Sequence, residues 1–528
     1  MKGLSSIFAA LLAVVVSGCY DKADSSTSNL PLLRTHFAGM TQVIQGTNAS
    51  KLRDVWALPA SQDVRKQALD KISSAPFQLW QKSLPAGAQN NAKLLRPLLD
   101  DLVTAESFIE LNGAKAQFDS VIAAQLDDQR AHLWSTNLWQ TAMAWKFPAP
   151  KPLATGSGWE THANGITLQF QEQKNWVLLG WSAGKLKAIA TLAETAVKSG
   201  RPIPASMGSI LELDADFPAI SRYNPLIAKF HLPVSQFIIS PHRDGEYLRT
   251  EGKFILAQPL KWKFEPWKIP TNHISDPLVS FTVAQPIAAA LESIPGFRDL
   301  GIVKTPTQVC GWSQGSGTFR TYWAFPSPDA SNTLHRVGPK LEGFIKRFLE
   351  KPPGGLIDVT NRSQIVWQGL PLMIPSLSAI SSGDSDYILA GLLPPAPTTK
   401  QAPRELLAQF EGRTNLLSYD WEITENRLTQ AKLLYQIVDM THLRTLVGTN
   451  APTAKWVEQA ARKLGNTVTE VTLDSPKELK LVRKSPMGLT GFELASVLRW
   501  MDSQGFPLDY QPPPPAKHTP PAPKIPAK

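Results

Sequence analysis

The sequence predicts an α+β protein, with an N-terminal helical layer followed by a mostly antiparallel sheet region with packed helices. Three observations support this class. Apolar residues recur at three- and four-residue steps between Leu32 and Trp145. Short alternating runs joined by hairpin-length links begin after Pro150. Helical and strand-like segments then follow in mixed order, which is typical of α+β folds.

Composition indicates a globular chain of more than one domain. The 528 residues are 43% hydrophobic and 19% charged, which is the range of folded proteins, and the length exceeds that of one small core. The expected division is a signal peptide over 1–18, a tether over 19–31, a helical region over 32–146, a first α+β unit over 147–285, a second α+β unit over 286–510 and a proline-rich disordered tail over 511–528.

The helical region rests on apolar spacing. The run Leu94–Val103 continues into Ala105–Leu111, and the same spacing recurs from Phe118 to Leu126. Asn112-Gly113 is the kind of dipeptide that ends a helix, and Ser61 is expected to cap the start of another helix.

The first α+β unit contains an antiparallel meander. Ile166–Phe170 and Trp176–Leu179 are strand-like runs with a short polar link between them, which predicts a hairpin. An amphipathic helix over Leu186–Val197 follows, with Gly200 as its stop signal. Further strands are expected at Ile210–Asp214, Phe237–Ser240, Tyr247–Thr250, Lys253–Gln258 and Lys261–Trp267.

The second half is a weak echo of the first. Asp386–Gly391 aligns on Asn175–Gly180, and Asn415–Asp420 follows a short helix at Glu405–Phe410 much as Ile210–Asp214 follows the earlier helix. This favours an internal duplication. Further helices are expected at Pro286–Ile294, Lys340–Leu349, Arg427–Leu446, Thr453–Leu464 and Gly491–Met501, with another strand at Asn466–Asp474.

The N-terminus carries an export signal. Lys2 precedes an apolar run, Leu4–Val16, that is shorter than the roughly 20 residues of a membrane-spanning helix. Val16-Ser17-Gly18-Cys19 follows at once and resembles the lipobox of bacterial lipoproteins. The resemblance implies cleavage before Cys19, a diacylglyceryl group on its sulfur and a further acyl chain such as palmitate on its amine. Two or more chains suffice for stable anchoring.

The expected lipid anchor indicates where the protein is located and which partners it can contact. Tyr20, rather than aspartate, follows Cys19, which in a Gram-negative host resembles the default signal for the periplasmic face of the outer membrane. The only membrane contact expected is the lipid anchor. Cys310 is the other cysteine, so no internal disulfide is expected. Cys310 is expected to be a buried free thiol. The net charge of +10 suits anionic envelope polymers. Nucleic acid is not an expected partner, because no compact basic run with interleaved aromatics occurs in the body, and no protein partner is indicated.

One motif suggests catalysis. Gly180-Trp181-Ser182-Ala183-Gly184 fits G-x-S-x-G between a strand and a helix and resembles the nucleophile elbow of α/β-hydrolases. The resemblance implies Ser182 as nucleophile. An acid and a base would complete a triad. The candidate acids are Asp214, Asp216 and Asp244, and the candidate bases are His231, His242 and His273.

Other observations oppose the hydrolase interpretation. The fold requires parallel strands before the elbow, whereas the hairpin-length link predicts antiparallel ones. Ser182 is expected instead to cap the following helix. Ser313, in a second G-x-S-x-G, is expected in a loop. No metal site or cofactor is predicted, because the nine histidines lack ligand spacing and no phosphate-binding loop occurs.

The main hypothesis is therefore a lipid-anchored envelope protein with a binding or scaffolding role and no catalytic residue. A secreted serine esterase using Ser182 is the alternative. A carrier of an apolar ligand is a third possibility, and it would require an apolar cavity.

Overall fold

The structure is a computed structural model that describes residues 31–511. The residues not described within that range are 115–116, 155–156, 184–186, 203–207, 219–233, 261–263, 295, 316–319, 349–356, 361–362, 369–372, 396–402, 411 and 442–449. The predicted signal peptide, Cys19, the tether up to residue 30, His231 and the tail from residue 512 onward therefore lie outside the described residues.

The chain forms an α+β fold, as the sequence predicts. The described helices are α1 (Met40–Gln45), α2 (Ser50–Trp56), α3 (Pro59–Trp80), α4 (Ala92–Thr104), α5 (Asp128–Ala144), α6 (Lys187–Ser199), α7 (Ala288–Ser293), α8 (Ala330–Phe348), α9 (Arg404–Ala408), α10 (Thr424–Thr441), α11 (Pro452–Ala460) and α12 (Gly491–Asp502).

The strands alternate with these helices along the chain. They are β1 (Leu33–Phe37), β2 (Ser107–Ala114), β3 (Gln117–Gln125), β4 (Lys151–Pro152), β5 (Ser157–Ala163), β6 (Ile166–Gln173), β7 (Trp176–Ser182), β8 (Leu211–Asp216), β9 (Val234–Asp244), β10 (Tyr247–Leu256), β11 (Leu278–Ala284), β12 (Val309–Gln314), β13 (Thr321–Pro326), β14 (Ile357–Thr360), β15 (Gln364–Gln368), β16 (Ser376–Ser382), β17 (Ser385–Gly391), β18 (Leu416–Ile423), β19 (Asn466–Ser475) and β20 (Glu478–Ser485).

The described strands form one antiparallel sheet with a palindromic order. One half runs β4-β5-β6-β7-β3-β2-β1-β8-β9-β10. The other half runs β20-β19-β18-β11-β12-β13-β17-β16-β15-β14, which is the same series reversed with ten added to each label. The halves join where β10 pairs antiparallel with β20, with Glu251 opposite Val482. Equivalent strands therefore meet at the centre of the sheet, as two units related by an approximate two-fold axis do.

Helices cover both faces of the outer parts of the sheet. In β7, Val177 packs into a core with α4 and α5, whereas the next residue, Leu178, packs into a core with α6. Neighbouring strand residues point to opposite faces, so the sheet there is buried on both sides. At the centre, β10 alternates between buried residues such as Leu248 and exposed or half-buried ones such as Arg249, so one face remains open to water, as antiparallel sheets permit.

The structure corrects the prediction for part of the helical region. Helix α4 ends at Thr104, and the apolar residues from 107 to 125 form the hairpin β2–β3 instead of continued helix. Both strands lie between helical layers, so apolar side chains occur on both faces and the strand alternation is lost. Ser61 is also not a helix cap, because α3 begins at Pro59 and the Ser61 hydroxyl donates to the carbonyl of Val55.

Strand pairing crosses both predicted boundaries inside the body. β1, β2 and β3 come from the predicted helical region, yet β1 pairs with β8 and β3 pairs with β7 of the first α+β unit. β11 precedes residue 286, yet it pairs with β12 and β18 of the second unit. Residues 264–267 of the strand expected at Lys261–Trp267 are not in a strand.

Candidate functional site

Ser182 lies at the end of β7 and is fully buried. Its hydroxyl has no hydrogen-bond partner among the described residues. The predicted helix cap is therefore wrong. At the start of α6, the backbone N–H of Ala188 donates instead to Oδ2 of Asp119, at 2.6 Å. A carboxylate suits this position, because the N-terminal end of a helix carries partial positive charge.

The sheet register places Ser182 in a polar row. Ser182 pairs with Asp119 of β3 on one side and with Thr167 of β6 on the other, and Thr167 pairs with His162 of β5. Directly paired residues share a face, and His162 Nδ1 lies 2.8 Å from Thr167 Oγ1. A histidine thus lies one side chain away from Ser182. The hydrogen-bond chain ends at Thr167, however, and does not reach the hydroxyl of Ser182.

The predicted triad partners lie elsewhere in the sheet. Four strand steps separate β7 from β8, which carries Asp214 and Asp216. At about 4.8 Å per step this is roughly 19 Å. His242 and Asp244 lie one strand further, on β9. His273 lies in a short 3-10 helix (Thr271–His273) beside the other half of the sheet, where its Nε2 is 3.2 Å from the carbonyl oxygen of Ser381 in β16. The described residues therefore do not assemble the triad.

Ser313 is a strand residue rather than the predicted loop residue. It lies in β12, is fully buried, and its hydroxyl is 2.7 Å from Thr321 Oγ1. The strand ends at Gln314, and the next residue, Gly315, has a φ of +68°. Gly311, the first glycine of this second motif, lies in the same strand, and the ring of Trp323 packs directly against it. The motif here serves packing.

Replacement of Gly311 by alanine is expected to destabilise the protein by about 1–3 kcal/mol, because the added methyl group overpacks the core. A Cβ at this position would lie 2.5 Å from Cε3 and Cζ3 of Trp323. Urea unfolding measures the change. Gly343→Ala in α8 is the control, since a Cβ there meets nothing within 4 Å and alanine is the better helix former. Equal stability of the two variants would contradict this account of the motif.

A buried ionisable network lies beside Ser313. Arg427, near the start of α10, donates from Nη1 to Ser313 Oγ at 3.3 Å, and its Nε lies 3.7 Å from Glu422 Oε2. Glu422 Oε1 accepts the N–H of Gly491 at 2.7 Å, and Asp420 accepts the hydroxyl of Thr282 at 2.5 Å. The network therefore connects the sheet to α10 and α12.

Burial controls the protonation of this network. Burial, and after it the nearby negative charge of Asp420, raise the pKa of Glu422 to about 8 against the opposing effect of Arg427. Burial also raises the pKa of Asp420. A carboxyl group that stays protonated at neutral pH is a hydrogen-bond donor as well as an acceptor. Because Glu422 is 2% exposed, this chemistry acts within the protein core.

A cleft of about 90 Å³ opens between α10, α11 and α12. Its apolar lining comes from Leu428 of α10, Ala454 and Val457 of α11, and Ala495 and Leu498 of α12. Each helix contributes residues that are three or four apart, so one stripe of each helix faces the cleft. Sequence reasoning missed this site, because the signal in each helix is an ordinary amphipathic stripe.

Charged groups at the rim of the cleft are largely paired with each other. Arg499 donates from Nη2 to Asp439 Oδ1 at 2.6 Å and lies over the ring of Tyr435, 4.6 Å from its centroid. Asp502 accepts the hydroxyl of Thr453 at 2.5 Å. Burial raises the pKa of Asp502, although this hydrogen bond lowers it. The cleft thus combines an apolar wall with a polar rim, which is typical of small-molecule sites.

Comparison with models of known protein families gave no match, and comparison with characterised protein sequences gave none either. Within the described parts of the chain, no group of three or more His, Cys, Asp or Glu side chains could hold a metal ion. No described helix is both long and apolar enough to cross a membrane. Cys310 is a buried free thiol, as predicted.

Proposed function

We propose that this chain is a lipid-anchored binding protein of the cell envelope, which uses the cleft between α10, α11 and α12. The main support for a binding role is the cleft, because it combines an apolar wall with a charged rim. The resemblance of Val16–Cys19 to a lipobox supports the lipid anchor, and in a Gram-negative host it implies the periplasmic face of the outer membrane. The net charge of +10 supports additional contact with anionic envelope polymers.

Occupation of the cleft is tested by filling it. The protein is purified from its own envelope and analysed by native mass spectrometry for a retained small molecule. Ala454→Trp places a large side chain in the cleft and is expected to remove the retained mass, whereas Gln81→Trp, at the exposed end of α3, is expected to keep it. Retention by the Ala454→Trp variant would contradict the proposed site.

Replacement of Cys19 by serine is expected to move the protein from the detergent-requiring membrane fraction to the aqueous fraction, because the acyl chains supply the membrane affinity. Fractionation of cells followed by immunoblotting measures the distribution. Ser17→Ala is the matched control and is expected to remain in the membrane fraction, because small residues suit the lipobox. Equal membrane retention of the serine variant and the unaltered protein would refute the anchor.

The esterase alternative depends on Ser182, and no contact among the described residues favours it. A fluorophosphonate probe tests it directly. Labelling that Ser182→Ala abolishes would establish a reactive serine, and we expect no labelling, because none of the described bases reaches the buried hydroxyl.

A further inference from the structure

One cationic side chain of the cleft has no acidic partner among the described residues. Lys432 of α10 lines the cleft and forms no ion pair with any of them. Gln436, one helical turn further along α10, lines the same wall and makes no described hydrogen bond. Both side chains are partly buried. Two adjacent polar groups without a described partner therefore face the cleft.

The acidic groups of the cleft, in contrast, have partners. Asp439 is held by Arg499, and its side chain is only 4% exposed. Asp502 accepts a hydrogen bond from the hydroxyl of Thr453, and the positive charge of Lys71 on α3 favours the ionised form of Asp502. Lys71 itself donates to the carbonyls of Met501 and Ser503. Arg499 thus offsets the charge of Asp439, and the nearby Lys71 offsets that of Asp502, so the positive charge of Lys432 remains for a ligand.

We propose that the cleft binds a small amphiphilic anion, whose apolar part packs against Leu428, Val457 and Leu498 and whose negative head meets Lys432 and Gln436. The inference rests on the proposed binding function of the cleft. Opposite charge at the rim and apolar contact below it are complementary to such a molecule. The cleft volume of about 90 Å³ encloses only a few carbon atoms of a short chain and is too small for a full lipid.

The test compares three probes with the same apolar chain. Octanoate, octan-1-ol and octylamine are titrated into the full-length protein below their micellar concentrations, and binding is measured by isothermal calorimetry. Octanoate is expected to bind at least about 10-fold more tightly than octan-1-ol, which corresponds to about 1.4 kcal/mol. Octylamine is expected to bind most weakly, because its ammonium group meets Lys432.

Two lysine variants test which side chain supplies the positive charge that favours octanoate. Lys432→Met keeps the length of the side chain and is expected to bring octanoate to the affinity of octan-1-ol. Lys455→Met is the matched control, because Lys455 lies on α11 beside Ala454 but is exposed and outside the cleft. It is expected to leave the preference for octanoate unchanged. An unchanged preference in Lys432→Met, or a preference for octylamine, would overturn the inference.

These measurements distinguish binding in the cleft from selectivity for an anion. Binding of octan-1-ol as tight as that of octanoate, abolished by Ala454→Trp, would leave the cleft as a binding site and refute only its anion selectivity. Absence of binding by all three probes would refute the ligand class, and a retained native ligand in that case would show that the cleft itself still functions.

Discussion

Glu422→Gln is expected to be more stable than the unaltered protein at pH 8 and nearly equal to it at pH 4. The folded-state pKa of Glu422 is about 8, against an ordinary value of 4.5, because burial disfavours the charged form. The folded state therefore binds more protons than the unfolded state between these two values. Stability from this group is complete below pH 4.5 and is lost as the pH rises toward 8. The complete loss, reached once the pH exceeds 8, is about 5 kcal/mol, from 1.36 kcal/mol per pKa unit.

The glutamine variant would keep the acceptor for the N–H of Gly491 but would not titrate at this position. The difference in unfolding free energy between the two proteins, measured in urea at intervals from pH 4 to pH 9, should therefore rise through this range. Asp420, Arg427, Arg483 and Glu493 also act on the charge of Glu422 or Asp420, so the measured midpoint belongs to the coupled network. Glu246→Gln is the control, since that side chain is 68% exposed. Parallel pH profiles for Glu422→Gln and Glu246→Gln would contradict the assignment.

Arg483→Met is expected to destabilise the protein by about 3–5 kcal/mol, because it leaves a largely buried carboxylate without its partner. The guanidinium of Arg483 donates to both carboxylate oxygens of Glu493, at 2.7 and 3.1 Å, and to Thr469 Oγ1 at 2.9 Å. Glu493 also accepts the N–H of Thr490 in the capping box of α12. Loss of the arginine therefore weakens both the sheet contact and the start of the helix.

The neighbouring lysine provides the control. Lys484 follows Arg483 in β20 but faces the open side of the sheet, where its side chain is 51% exposed and lies 3.3 Å from Asp244. Lys484→Met is expected to change the unfolding free energy by less than about 1 kcal/mol. Chemical denaturation of both variants gives the comparison, and a loss as large in Lys484→Met as in Arg483→Met would refute the argument from burial.

Local patterns predicted many elements correctly. The link between Phe170 and Trp176 predicts the antiparallel pair β6–β7, and the pairing agrees. The amphipathic run ending near Gly200 corresponds to α6, and the segment beginning at Gly491 corresponds to α12. These signals are reliable because hairpin turns and helix caps depend on residues close in sequence.

The same logic failed where a strand is covered on both faces. In β2, Phe108 packs toward α6, while the neighbouring Ile109 and Leu111 are also apolar. A continuous apolar run fits a helix as well as a buried strand. The predicted duplication was an inference from short matches. The palindromic strand order now gives it a structural basis, because each strand of the first half has a counterpart at the same place in the second.

The candidate site illustrates the same limit. The G-x-S-x-G pattern pointed to Ser182, but its predicted partners on β8 and β9 are several strands away, while His162 and Asp119 lie in its own row. No spacing in the sequence relates His162 to Asp119. Their relation depends on the order in which strands pair, which local signals do not specify.

The amino-acid sequence by itself determined the fold class, the main hairpins and helices, and the expectation of a lipid address at Cys19, because these follow from local periodicity and short motifs. Only the tertiary structure decided the strand order, the buried ionisable network around Glu422 and the cleft beside Lys432. These features join residues far apart in the chain, as the hydrogen bond from Thr282 to Asp420 does across 138 positions. Burial and charge at such places arise only when distant segments pack together.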